Sequence, residues 1–332
     1  MKPKPGAHGP IIEEIEPDIT LGSPAEGADF EVALVSLNQW QLAWRRFRRH
    51  RLALFGAALF LTMCAVAIVG PFLLPYDPLA IPYPVAYCPG SDVLKASDGC
   101  PPLTPGHPLG TTGSLQLDVL TLVVNGARLS LLIGVGASVF AAVIGAIVGG
   151  VAGYFGGLVD NLLMRFVDVL LSLPTLFVIV LFAKVFGSGD WRVILVVFAL
   201  LGWMGIARLV RSLFLTLRTE AFVDAAHAVG VSDARIIFRH ILPNAMSPII
   251  VATTLSVAGV IIGEAFVSYL GYGVNPNFQP TWGNILTSAQ NYLTVGNWWW
   301  AFFPGLAIVL TVLGINFMGD GLRDALDPRS RE

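Results

Sequence analysis

The stretch "EAFVDAAHAVGVSDARIIFRHILPN", Glu220 to Asn244, sets five charged side chains and two of the chain's five histidines between long apolar runs. It reads as two short helices around a hinge. Glu220 to Val229 is built from good helix formers, with acids in its first turn, where the helix dipole favours them. Gly230 suits the left-handed position that ends such a helix. Ser232 is a suitable N-cap for a second helix, which starts at Asp233 and runs through Ile236, Ile237 and Ile241. Pro243 is expected to close the unit, because its ring collides with the preceding turn and it has no N–H to give. Ala225, Ala226 and Ala228 leave one side without bulk, so another surface could approach closely. The residues alone leave open whether this is a docking element or an ordinary loop between spans.

Around this island the chain is unusually apolar. Of 332 residues 55% are hydrophobic and only 13% charged, about half the charge of a typical soluble domain. The net charge of −2 gives no reason to expect a nucleic-acid partner. A bilayer span takes about 20 mostly apolar residues, and six stretches qualify. They are Leu52 to Tyr76, Leu129 to Val159, Phe166 to Ala183, Val193 to Ala207 extended toward Leu217, Ala245 to Gly263, and Trp298 to Gly319. Pro174 and Pro304 lie inside the third and sixth, and a kink is expected at each. The expected fold is an all-α integral membrane protein with six transmembrane helices and a helix pair between helices 4 and 5.

Lys and Arg orient it. With the N-terminus cytoplasmic, the outer segments hold only Lys95, Arg128, Lys184 and Arg192 of the chain's 20 cationic residues. The excess of positive charge marks the inside, so both termini and the island are expected there, in a multi-pass plasma-membrane (inner-membrane) protein. Trp191 and Trp298 to Trp300 then fall at the outer interface, where indoles concentrate.

Residues 1–39 carry many acids and several prolines without an apolar core, and read as a disordered cytoplasmic tail. Residues 40–51 place Trp40, Trp44 and Phe47 at helical spacing with arginines opposite, as in a helix lying in the membrane interface. Residues 52–76 form the first span, 77–128 an extracytoplasmic loop, and 129–330 the core, with the island as loop 219–244. Cys64 falls in the first span. Cys88 and Cys100 share the outer loop, where an oxidising compartment would allow a disulfide.

No catalytic machinery is evident. None of the lysines is followed by Ser or Thr, so there is no phosphate-binding Gly-rich loop of the usual kind, and no histidine is followed by Glu. Gly-x-Ser-x-Gly is absent too. The chain is expected to have no catalytic residue, no metal site and no cofactor of its own. Two acids inside the apolar runs raise a functional question. Asp168 is expected to pair with Arg208 or Arg211. Glu264 lies about 27 Å along its helix from Met246, at ~1.5 Å per residue, near the outer face. It would either line a substrate path or hold structure there. Arg208 and Arg211, one turn apart, are explained by snorkelling to headgroups.

Asp224-Ala225-Ala226, Gly230 and Leu242-Pro243 resemble the cytoplasmic signature of ABC importer membrane subunits, Glu-Ala-Ala-x3-Gly-x9-Ile-x-Leu-Pro. Asp replaces Glu here, and His240 takes the Ile slot with Ile241 beside it. "RFRRHRLALFG", "HPLGTTGSLQLDVLTLVVNGARLSLLIG", "AGYFGGLVDNLLMRFVDVLLSLP", "EAFVSYLGYGV" and "GDGLRDALDPR" resemble the second, C-type permease of dipeptide and oligopeptide importers. The resemblance spans roughly Trp44 to Arg329, apart from the cysteine loop. Where that branch often has Gly-Arg-Asp, this chain reads Gln116-Leu117-Asp118.

The resemblance implies a non-catalytic permease subunit moving peptides by alternating access. Its partners would be a homologous second permease (a heterodimer), two ATPase subunits that bind the ATP and Mg, an extracytoplasmic substrate-binding protein and the lipid bilayer. It also implies that Glu220, Asp224, Ala225, Ala226, Gly230, Leu242 and Pro243 contact the ATPase. The alternative, from another class, is a proton-coupled secondary transporter using Asp168 or Glu264.

Overall fold

The computed structural model describes residues 39–74, 77–78, 99–113, 117–186, 189–277 and 279–326. Cys88, the 1–38 tail and residues 327–332 lie outside them. The described residues contain eleven α-helices and no strand: α1 Gln39–Phe47, α2 Arg51–Leu73, α3 Val119–Phe155, α4 Gly157–Ser172, α5 Thr175–Val185, α6 Trp191–Leu217, α7 Ala221–Ala228, α8 Asp233–Ile236, α9 Leu242–Tyr269, α10 Trp282–Ala289 and α11 Trp298–Leu326. Five helical runs (α2, α3, α6, Asp233–Tyr269 and α11) are long and apolar enough to cross a membrane. A sixth crossing exists if α4 and α5, bent by 82° at their junction, count as one broken span.

The bent pair is where the expected third helix differs most. The expected second run, Leu129 to Val159, stops short at Phe155, and the third, Phe166 to Ala183, is broken at Pro174. Gly156 and Gly157 take φ values of +65° and +55°, a conformation that costs L side chains dearly, and they turn the chain sharply between α3 and α4. Leu173 is then extended (ψ 135°) ahead of Pro174, as the residue before a proline prefers. The result at Pro174 is a break rather than a kink. Pro304, by contrast, sits in an uninterrupted α11. Less than two turns of helix precede it, so there is little on that side to tilt.

The second crossing starts earlier than its apolar run. Asp118 caps α3, its Oδ2 accepting from the Thr121 N–H and hydroxyl at 2.7 Å each, so residues 119–128 are helix and not loop. The expected interfacial helix likewise ends sooner, at Phe47. His50 then caps α2, its Nδ1 accepting from the Ala53 N–H at 3.1 Å, while its Nε2 lies 3.6 Å from Asp324 on α11.

The core sits between α3 and α6, which pack along each other more extensively than any other pair. Glycines permit this: a Cβ at Gly145, Gly149 or Gly153 would run into the backbone carbonyls of Trp203, Ala207 or Arg211. Small residues every fourth position let helix backbones approach this closely. α2 and α9 pack on α3, and α11 packs on both α2 and α9. Both ends of the described chain, α1 and the tail of α11, pack on each other. The Glu220–Asn244 elbow joins α6 to α9 at one end of the bundle; the opposite end carries residues 100–113 and 117–118, α10 and the start of α11.

Candidate functional site

The elbow begins where α6 stops. The Arg218, Thr219 and Glu220 N–H groups bond back to Phe214, Thr216 and Leu217 at 3.0–3.3 Å, and α7 follows with Glu220 as its N-cap residue. α7 ends as the sequence suggests. Gly230 has φ +76°; its N–H bonds the His227 carbonyl at 2.9 Å and the Val231 N–H bonds the Ala226 carbonyl at 3.1 Å. This paired closure satisfies two carbonyls that a helix end leaves bare. Ser232 is the N-cap residue of α8, but its hydroxyl makes no capping bond.

Pro243 does not close the unit. α8 passes through one widened π-helical turn, Ile237–Ile241, straight into α9, so Asp233–Tyr269 is a single helical run. The wide turn answers the proline. A normal α-turn would push the Pro243 ring against the Arg239 carbonyl; here the Leu242 N–H reaches back five residues to Ile237. The Asn244 side chain donates to the His240 carbonyl at 2.6 Å.

The elbow is amphipathic. Val223, Ala226, Ile236 and Ile241 are buried in one apolar cluster with Val167 of α4, Ala207, Val210 and Phe214 of α6 and Ala245 of α9. Each fully buried Val or Ile there contributes about 1.5–3 kcal/mol. Glu220, Asp224, Ala225, Gly230 and Pro243 lie on the exposed side, with Leu242 half-buried. Ala226 does not join them: it turns inward, 7% exposed. The outer face also carries Phe222, Val229 and Phe238, at 40%, 78% and 70% exposure. A Cβ added at Gly230 would meet nothing within 4 Å.

Ion pairs bind the elbow end together. Arg211 holds Asp160 through two bonds, Nε to Oδ1 at 2.5 Å and Nη2 to Oδ2 at 2.6 Å. Arg208 holds Asp168 at 2.5 Å, so both arginines are paired with α4 and do not simply snorkel. The Tyr154 hydroxyl donates to Asp233 Oδ1 at 2.6 Å, and Arg218 donates to the Tyr154 carbonyl at 3.0 Å. Asp160, Tyr154 and Arg218 join this site only through the fold. The sequence signal for the ion pairs is the spacing of Asp160 and Asp168, two turns apart on one face of α4, against Arg208 and Arg211, one turn apart on α6.

Glu264 belongs to the other end and to a different chemistry. It is 1% exposed, and its Oε1 accepts from the Ser268 and Thr281 hydroxyls at 2.8 and 2.9 Å. Thr281 and Asn284 form a reciprocal capping box at the start of α10. The Trp282 N–H donates to Ser130 on α3 at 3.0 Å. Glu264 therefore anchors α10 to α9. Nearby, His107 Nδ1 lies 3.0 Å from Asp118 Oδ1, both buried. Cys100 is disulfide-bonded and fully buried, and Cys64 is free. Trp299 and Trp300, expected at an interface, are buried at 8% and 7% exposure, with Trp299 donating to the Thr111 carbonyl at 3.0 Å. Trp298 alone of the three is exposed.

Residues 141–332 match the family described as binding-protein-dependent transport system inner membrane component, and residues 38–89 match the N-terminal TM domain of oligopeptide transport permease C. The chain is 38% identical to the dipeptide transport system permease protein DppC of Bacillus subtilis over 89% of its length and 88% of that protein's. It is 36% identical to the oligopeptide transport system permease protein OppC of the same species, covering 97% of this chain and 100% of the other. Against OppC of Escherichia coli K12 it is 37% identical over 88% and 92%. Among solved structures it resembles the MetNI methionine ABC transporter, with a TM-score of 0.51 and 22% identity over 62% of this chain and 96% of that one, a likeness of fold. Family, relatives and helical architecture agree: this chain belongs to the inner-membrane components of binding-protein-dependent transport systems and is a multi-pass permease subunit of an ABC importer.

Proposed function

We propose that the chain moves di- or oligopeptides across the inner membrane by alternating access, with the elbow as the handle gripped by a separate ATPase subunit. The peptide class rests on relatives named for dipeptide and oligopeptide transport at 36–38% identity. The elbow lies on the cytoplasmic side with both termini, where the positive charge concentrates. Two ATPase subunits bind the ATP and Mg, a homologous second permease completes the pathway, and a binding protein delivers substrate to the opposite face. There Cys88 is the expected disulfide partner of Cys100.

One observation carries this reading. The elbow offers exposed Asp224, Ala225, Val229 and Phe238 outward, while Val223, Ile236 and Ile241 fix it to α4, α6 and α9. A push on its outer face must therefore displace the spans as rigid bodies. The proton-coupled alternative finds no support: Asp168 is neutralised by Arg208 and Glu264 is locked to Ser268 and Thr281.

Gly230→Asp tests the reading. Aspartate is among the few residues that visit the left-handed region, and a Cβ at this position meets nothing within 4 Å. The expected result is lost uptake and weakened ATPase co-purification, with the amount of protein in the membrane unchanged. Normal uptake with normal ATPase recovery would refute it.

A further inference from the structure

The α3–α4 turn is grasped by both limbs of the elbow. From the limb that leaves α6, Arg218 donates to the Tyr154 carbonyl at 3.0 Å, and its Nη1 covers Gly156 so closely that a Cβ there would lie 2.7 Å away. From the returning limb, Asp233 Oδ1 accepts a hydrogen bond from the Tyr154 hydroxyl at 2.6 Å, across 79 residues of chain. Charge-assisted bonds of this length are among the stronger ones available. The turn they hold leads directly into α4, which Arg211 and Arg208 tie to α6 through Asp160 and Asp168. α4 in turn opens the broken span, bent by 82° ahead of α5.

We propose that Tyr154, clasped by Asp233 and Arg218, is a coupling latch: a positioning residue that carries displacement of the elbow into the α3–α4 turn and so into the broken span. The inference rests on the elbow being the ATPase handle. Without the Tyr154–Asp233 bond, the elbow reaches the turn and α4 through the Arg218 bond to the Tyr154 carbonyl and through packing of Val223 and Ile236 in one cluster with Val167. With it, the turn and the elbow move as one body, and the bent span moves with each ATP cycle.

The test uses the whole transport complex with its ATPase subunits and compares backbone hydrogen exchange with and without vanadate-trapped ATP. In the parent, trapping alters exchange both in the elbow (221–236) and in the α3–α4 turn (154–160). Tyr154→Phe removes one oxygen and keeps the ring, which packs edge-on against Phe155 at 5.2 Å, so the fold is retained. In that variant the elbow response persists while the turn response falls about fivefold, the equilibrium weight of one such hydrogen bond. Asp233→Ala gives the same loss, the double variant loses no more, and Asp233→Asn, which keeps the acceptor oxygen, restores most of the response. A turn response of parental size in Tyr154→Phe overturns the latch, as do losses that multiply in the double variant. A parent complex whose elbow ignores ATP overturns the handle reading first, by a separate signal.

Discussion

At the elbow end, the ion pairs keep part of their surface open: Arg208 and Asp168 are 51% and 48% exposed, and Arg211 is 34% exposed over a nearly buried Asp160. At the opposite end the polar groups are dry. Asp118, Thr121, Glu264, Thr281 and Asn284 are all 5% exposed or less, and the contacts among them are short-range caps and hydroxyl bonds. A buried hydroxyl and capping network fixes one geometry, because alternatives leave further groups unpaired in a low dielectric, although Glu264 Oε2 itself has no hydrogen-bond partner among the described residues. Half-exposed ion pairs are individually weak and can exchange with water at little cost. The opposite end is thus fixed by bonds out of water, whereas the elbow end is held by one largely buried pair, Arg211–Asp160, and one half-exposed pair, Arg208–Asp168.

Breaking that contrast gives graded outcomes. The largest is expected for Arg211→Ala, which strips both donors from a buried carboxylate and should cost about 3 kcal/mol. Next comes Glu264→Ala, which leaves two buried hydroxyls without their acceptor, at about 2 kcal/mol. Its loss would appear as loosening of α10 rather than of the elbow. Arg208→Ala, only one turn from Arg211, is expected to cost less than ~1 kcal/mol because its pair is half in solvent. Thermal unfolding of the detergent-solubilised protein ranks all three. Equal costs for Arg211→Ala and Arg208→Ala would remove the distinction drawn between the two pairs, and a neutral Glu264→Ala would remove the one between the two ends.

Much of this was readable in the sequence, because the strongest signals are local. Uninterrupted apolar runs located α6, α9 and α11, and a lone glycine ahead of a serine located the close of α7 and the start of α8. Other features needed neighbours that no local pattern reveals. Gly156 and Gly157 sit in an apolar run that reads as continuous helix until the turn itself is seen. Arg128 looks like the edge of a span, yet it is an exposed position within a helix already capped at Asp118. Pro243 reads as a stop because its remedy, the widened turn before it, is a property of backbone geometry and not of residue type. Ala226 and Ala225 are chemically identical, and only packing decides that one faces in and the other out. Asp160 and Arg211, 51 residues apart, meet because α4 folds back on α6.

The central claim, that a separate ATPase engages the elbow, is met most directly by photo-crosslinking. A photoreactive residue at Val229, 78% exposed on the elbow, should form an adduct with the co-purifying ATPase subunit, whereas one at Val295, 58% exposed beside the start of α11, should not. An ATPase adduct from Val295 and none from Val229 would contradict the account.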